Sequence, residues 1–166
     1  PIVLKTPWER LSVEDAFRRY APLSMEDALE QGRFDEMIAC LIGPRLGVDR
    51  PTFLFDYPIS AGALARAKGT NPFVAERFEL YMAGIELANA FSELTDPQEQ
   101  RQRFDDSLAY RRSAGKTVYP MPEPFLRALH AMPEAAGIAL GLDRLAMIFA
   151  NVRRIDDIVA FTPEDL

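Results

Sequence analysis

The chain has 166 residues, enough for one domain with its own core. Its 48% hydrophobic and 27% charged residues are ordinary for a globular domain, and no apolar run approaches the roughly 20 residues of a membrane span. A formal net charge of −6 argues against a broad nucleic-acid footprint, which needs a basic face, and leaves only a local basic groove open. The single cysteine, Cys40, excludes an internal disulfide and a cysteine-built zinc site, and it fits a reducing cytoplasm. No basic, apolar leader opens the chain, so nothing in it points to secretion. It begins at Pro1 rather than Met, which reads as a processed chain or a fragment.

Residues 1–50 read as helical and somewhat irregular. "SVED" at Ser12–Asp15 and "SMED" at Ser24–Asp27 are helix-start signals. Gly43-Pro44 breaks the pattern, and residues 47–51 read as a loop. Cys40, among Met37, Ile38, Leu41 and Ile42, is expected in the core as a small apolar residue. "TFLFDYPI" (Thr52–Ile59) predicts a strand, with Asp56-Tyr57 at its end either packing or lining a site. Residues 60–72 form a small-residue connector. Residues 73–82 and 85–95 predict two strands joined at Ala83-Gly84 as a hairpin. Asp96, Pro97 and Glu99 predict a capped helix start, and Gly115 its end. Its arginines, Arg101, Arg103, Arg111 and Arg112, read first as a solvated face. A proline connector, a short helix (125–132), a buried strand (136–142) and an apolar helix (143–152) follow, with "IDDIVAF" closing the chain. His130, the only histidine, reads as a packing or surface residue. Strands clustered as a hairpin, with helices set apart, argue an α+β fold with an antiparallel sheet.

The hairpin carries the chemistry. With a tight turn at Ala83-Gly84, Tyr81 pairs with Glu86 and Glu79 with Ala88. Glu79, Tyr81 and Glu86 then share a face, with the two carboxylates as diagonal neighbours. Such a pair repels unless a cation lies between its members, and oxygen-only ligands suit Mg²⁺. An ordinary solvated face explains the same spacing equally well. Asn89, Phe91 and Glu93 have the opposite parity. They converge with Glu86 only if the strand kinks or bulges, and the small residues at Ala88–Ala90 are where this is expected.

Two segments carry a family resemblance: "ERFELYMAGIELANAFSELTDPQEQRQRF" and "GIALGLDRLAMIFANVRRIDDIVAF". Together they resemble the C-terminal half of a class II aminoacyl-tRNA synthetase core, with the lysine-specific branch nearest. The resemblance implies an antiparallel sheet flanked by helices, here a partial core. Residues 1–50 would be its helical lead-in, and residues 51–166 the half that includes motif 3. ATP and Mg²⁺ are implied. Glu79 and Glu86 match the carboxylates that hold Mg²⁺ on ATP. Glu86 and Leu87, with Gly141 and Arg144 of motif 3, match ATP contacts, and Arg144 and Glu86 match the catalytic positions. Asn89, Phe91 and Glu93 match the amino-acid pocket, with Glu93 facing the lysine ammonium. These residue types suit the chemistry. Mg²⁺ and arginine ease the approach of a carboxylate to an α-phosphate, and a guanidinium can stack on adenine.

Ala139 stands where full lysyl-tRNA synthetases usually have glycine. A short paralogue has alanine there, and it transfers a lysyl or β-lysyl group to a lysine of translation elongation factor P. The resemblance to that paralogue implies elongation factor P as protein substrate, with tRNA as the alternative acceptor. It also implies a homodimer when full length and no membrane partner. A methyl group at Ala139 would favour β-lysine over lysine. The chain departs from the family in Ala90, where glycine is common, and in lacking motifs 1 and 2. The expectation is therefore that this polypeptide alone activates no amino acid. A synthetase-like module without catalysis is the alternative from another class.

Overall fold

Two serines set the first helices. The Ser12 hydroxyl accepts the Asp15 N–H at 3.1 Å and caps α1 (Val13–Tyr20), and Ser24 accepts the Asp27 N–H at 3.0 Å and caps α2 (Met25–Glu30). Both follow the sequence signals. The computed structural model describes residues 1–162. A four-residue α3 (Phe34–Met37) runs into a π-helical turn, Ile38–Ile42.

Six strands form one mixed sheet: β1 (Glu9–Ser12), β2 (Thr52–Pro58), β3 (Ala67–Lys68), β4 (Asn71–Met82), β5 (Ile85–Ser92) and β6 (Ala136–Leu140). Their order is β1-β2-β4-β5-β6, with β3 also paired to β4. All pairings are antiparallel except β1 with β2. β1 was not expected, since residues 1–50 read as helical. Its four residues carry no long alternation, and it is held from outside the segment. The Glu9 N–H donates to Pro51 O at 3.1 Å, and the Thr52 hydroxyl donates to the Glu9 carboxylate at 2.8 Å.

The hairpin turn is as expected. Met82 pairs with Ile85, and Ala83 and Gly84 both have positive φ, 55° and 74°, the left-handed pair that matches strand twist. The tip docks on the loop before β2, with the Ala83 and Gly84 N–H groups donating to Gly47 O and Leu46 O, both at 2.8 Å. A side chain at Gly84 would run into Pro44 O at 2.8 Å, so the tip needs glycine for space as well as for conformation.

The core lies between the first helices and the β2–β4 part of the sheet. Leu11, Val13, Phe17, Phe34, Met37, Ile42, Leu54, Tyr57 and Tyr81 form one buried cluster. Phe17 stacks on Phe34 with ring centroids 5.3 Å apart. Burying one such side chain contributes about 1.5–3 kcal/mol. Cys40 is not part of this core. It is exposed, because the π-helical turn rotates Ile42 inward instead.

After β5, Asp96 caps α4 (Pro97–Ser113) by accepting the Gln98 and Glu99 N–H groups. Glu99 does not complete a capping box, since its carboxylate takes Arg103 at 2.5 Å. Arg103 also donates to the carbonyls of Ala63 and Ala65, so it braces the connector instead of facing only water. Gly115 (φ 64°) ends α4 as expected, with Lys116 N–H reaching back to Arg111 O. α5 (Glu123–Leu129) and α6 (Leu142–Ala150) complete the described helices, and His130 is exposed after α5. β6 is a strand as expected but not a buried one. Ile138 is 65% exposed and Leu140 49%. β6 is the last strand of the sheet, and among the described residues no strand pairs with its outer edge. The expected closing element reduces to a short 3-10 turn, Ile155–Asp157. Among the described residues, no helix is long and apolar enough to cross a membrane.

Candidate functional site

The parity conflict in "GIELANAFSEL" is resolved by a bulge. Tyr81 pairs with Glu86, but Leu80 pairs with Ala88, so Leu87 is an extra residue with no partner on β4. The irregularity falls just before Ala88, one residue earlier than the expected Ala88–Ala90 stretch. Beyond it, Glu79 faces Asn89 and Arg77 faces Phe91. Residues directly opposite share a face. Glu79, Tyr81, Glu86, Asn89 and Phe91 therefore lie on one side of the sheet. The adjacent strand extends these rows, with Asn89 opposite Ala139 and Phe91 opposite Gly137.

What holds the bulge is visible at the start of α6. The Gly141 N–H donates to Leu87 O at 2.8 Å, and Arg144 Nη1 donates to Glu86 O at 2.8 Å. The carbonyls that a bulge turns out of the ladder thus find donors at the start of α6. Arg144 also reaches the Glu86 carboxylate, at 3.4 Å. Leu87 contributes its backbone, since its side chain is buried. The Arg144 side chain lies close to Gly141: an added Cβ there would meet Arg144 Cδ at 3.3 Å.

Glu93 lies just past the end of β5. Its N–H donates to Ala135 O at 2.9 Å, and it bridges to Ala65. Its carboxylate lies over Gly137, where a Cβ would come within 2.8 Å of Oε1. A side chain at 137 would have to displace this carboxylate from its place.

Glu79 is 6% exposed, and two donors meet its carboxylate. Arg77 Nη2 donates to Oε1 at 2.6 Å and the Tyr81 hydroxyl donates to Oε2 at 2.8 Å. Burial, followed by the charge of Glu79, pushes the Tyr81 phenol far above its ordinary range, so it serves only as a neutral donor. The Tyr57 phenol is raised for the same two reasons, burial first. Tyr57 packs in the core under the Arg77 guanidinium, whose carbon lies 4.4 Å from the ring centre. Of the strand-end pair, Tyr57 is thus a packing residue, and Asp56 is tied to Lys68 at 2.8 Å.

A carboxylate offers about four lone-pair sites, so Glu79 retains two. Glu86 is partly exposed. Glu79 and Glu86 share a face, and one or two protein carboxylates are what Mg²⁺ takes, but each already meets an arginine, Arg77 and Arg144. Among the described residues, no group of three or more His, Cys, Asp or Glu could hold a metal by itself. A cleft of about 530 Å³ is lined mainly by residues of the other face, among them Phe53, Phe55 and Phe78, and it meets the site at Arg77, Phe91 and Gly137.

The sequence reading missed Arg77. Its signal was parity: it stands two residues before Glu79 and so shares that face. Single-strand parity does not reveal that it also reaches Asn89 on the next strand, because the bulge sets that pairing.

A mixed six-stranded sheet flanked by helices is consistent with the α+β fold of a class II synthetase, and comparison with known proteins gives the family. The sequence model described as tRNA synthetases class II (D, K and N) matches residues 2–165, and the chain belongs to that family. Within it, the chain is similar to proteins of two names. A "Lysine--tRNA ligase" of Moorella thermoacetica is 36% identical over 180 residues, covering 95% of this chain and 36% of that protein. An "Elongation factor P--(R)-beta-lysine ligase" of Proteus mirabilis is 46% identical over 121 residues, covering 72% of this chain and 37% of that protein. One of the same name from Pectobacterium carotovorum is 38% identical over 179 residues, covering 94% and 55%. The chain thus spans about half the length of these relatives, or less.

Proposed function

We propose that the chain is the motif 3 half of an ATP-dependent ligase that activates lysine or (R)-β-lysine. We further propose that the full-length enzyme transfers the activated group to a lysine of elongation factor P. The observation that carries this reading is the bulge at Leu87, which gathers Glu79, Glu86, Asn89 and Phe91 on one face beside Ala139.

Each residue has a task in this reading. Arg144 and Gly141 meet the nucleotide, Arg144 through a planar cation that Glu86 holds in place. Glu86 and Glu79 would hold Mg²⁺, which when bound would offset the phosphate charge. Glu93 meets the side-chain ammonium of the substrate, and a neutral analogue would leave that carboxylate unpaired. Phe91 and Ala139 shape the pocket, and the Ala139 methyl favours β-lysine. The rest of the nucleotide and amino-acid site, and a homodimer interface, would come from the part of the enzyme outside these residues. The setting is cytoplasmic.

The acceptor decides between related readings. Purified full-length protein, ATP and either lysine or (R)-β-lysine are incubated with elongation factor P or with tRNA. Intact mass of the factor and acid-precipitable charging of the tRNA are read in parallel. Modification of the factor supports the proposal. Charging of tRNA alone replaces it with lysyl-tRNA synthesis, which fits the relatives of that name. Neither product would leave a synthetase-like module without catalysis.

A further inference from the structure

We propose that Arg77 is a positioning residue of this site, fixing the Asn89 amide so that its nitrogen, not its oxygen, meets the substrate. This deepens the proposed function, because it rests on Asn89 lining the amino-acid pocket. Arg77 is held on three edges and one face. Nη2 donates to Glu79 Oε1 at 2.6 Å, Nη1 to Ala61 O at 2.6 Å and Nε to Asn89 Oδ1 at 3.3 Å, and the Tyr57 ring lies against its plane at 4.4 Å. Its side chain is only 16% exposed.

The orientation of Asn89 follows from donor and acceptor chemistry. A guanidinium has five N–H donors and no acceptor, so the atom of Asn89 that faces it must be the oxygen. The other arm of the amide, Nδ2, is left free of Arg77. It offers N–H donors, which suit a carboxylate or carbonyl oxygen of the substrate and repel an ammonium. Asn89 and Glu93 therefore divide the substrate between them: the amide meets an acceptor group, and the carboxylate meets the cation. Reversing the amide would place its N–H groups against the guanidinium.

Lysine cannot substitute. It is one point charge on a flexible stem, and it cannot hold Glu79, Ala61 and Asn89 in one plane at once. Arg77→Lys keeps the charge beside Glu79 and removes the positioning, which makes it the informative variant.

Two readouts test the proposal in the full-length protein. The first is ¹⁵N relaxation of the Asn89 side-chain amide. We expect an order parameter near that of rigid backbone, about 0.85, in the wild type and below roughly 0.6 in Arg77→Lys. Equal values in both proteins would overturn the proposal. The second is a double-mutant cycle with Asn89→Ala, read as kcat/KM for the amino acid in pyrophosphate exchange. We expect Arg77→Lys to cost about tenfold in the wild-type background and less than about twofold beside Asn89→Ala. The same factor in both backgrounds marks Arg77 as merely structural. If Arg77→Lys does not fold, Asn89→Asp decides. It keeps an acceptor for Arg77 but loses the N–H donors, so it should fall as low as Asn89→Ala, and retained activity would contradict the assignment. A wild type without any exchange would sink the proposed function, while the relaxation measurement would still judge Arg77.

Discussion

The two halves of the sheet are finished differently. The β2–β4 half is closed by the first helices, and Leu54, Tyr57 and Tyr81 vanish into a common core with Phe17 and Phe34. The β5–β6 half is open. Ile138, Leu140 and Leu142 are exposed there, and Phe149 of α6 is 77% exposed. The candidate site straddles the two. Arg77, Glu79 and Tyr81 stand in the closed half, locked by burial and by one another. Glu86, Asn89, Ala139 and Arg144 stand at the open half, within reach of solvent. The closed half can hold a geometry, and the open half can admit a substrate.

The largest expected effect lies in the closed half. Phe17→Ala removes a fully buried ring and should cost about 3–5 kcal/mol in urea unfolding. Arg77→Met leaves the Glu79 carboxylate buried without its cation and should cost about 3 kcal/mol or more in the same measurement. If Arg77→Met is nearly neutral, the closed half does not depend on that pair. At the junction, Gly137→Ala pushes a methyl against the Glu93 carboxylate. It should raise the KM of the full-length enzyme for lysine or β-lysine about tenfold, equivalent to about 1.4 kcal/mol, and leave the KM for ATP near its original value. Equal rises in both would detach Glu93 from the amino-acid pocket.

A smaller effect is expected with pH. Arg66, 2.7 Å from Glu76, holds that carboxyl below the usual carboxylate range. A depressed folded pKa stabilises above the unfolded value and is lost as pH falls through the folded one. Stability should therefore decline below roughly pH 4.3, and Arg66→Ala should flatten part of that decline in thermal unfolding across pH. The smallest effect is expected in the open half, where Ile138→Ala should change stability by no more than about 0.5 kcal/mol. A loss as large as that of Phe17→Ala would erase the contrast between the halves.

Local chemistry was the most legible part of this sequence. Ser12, Ser24 and Asp96 announced their helices, Ala83-Gly84 announced its turn, and the opposite parity of Glu86 and Asn89 predicted an irregular strand if both serve one site. What stayed hidden depends on distant partners. β1 is four residues long and owes its form to Pro51 and Thr52, some 40 residues away. Cys40 reads as core by its neighbours, and only a π-helical turn rotates it outward. β6 is as apolar as a buried strand, yet sequence cannot show which layers cover it. The bulge was expected near Ala88–Ala90, and Gly141 and Arg144 fix it at the adjacent Leu87 by donating to the Glu86 and Leu87 carbonyls.

Amino-acid-dependent exchange of pyrophosphate into ATP by the full-length protein tests the central claim most directly. The account predicts exchange that requires lysine or (R)-β-lysine, favours the β-isomer, and is lost in Asn89→Ala and Glu93→Ala variants that still fold. Exchange that ignores both amino acids, or survives both substitutions, would contradict it.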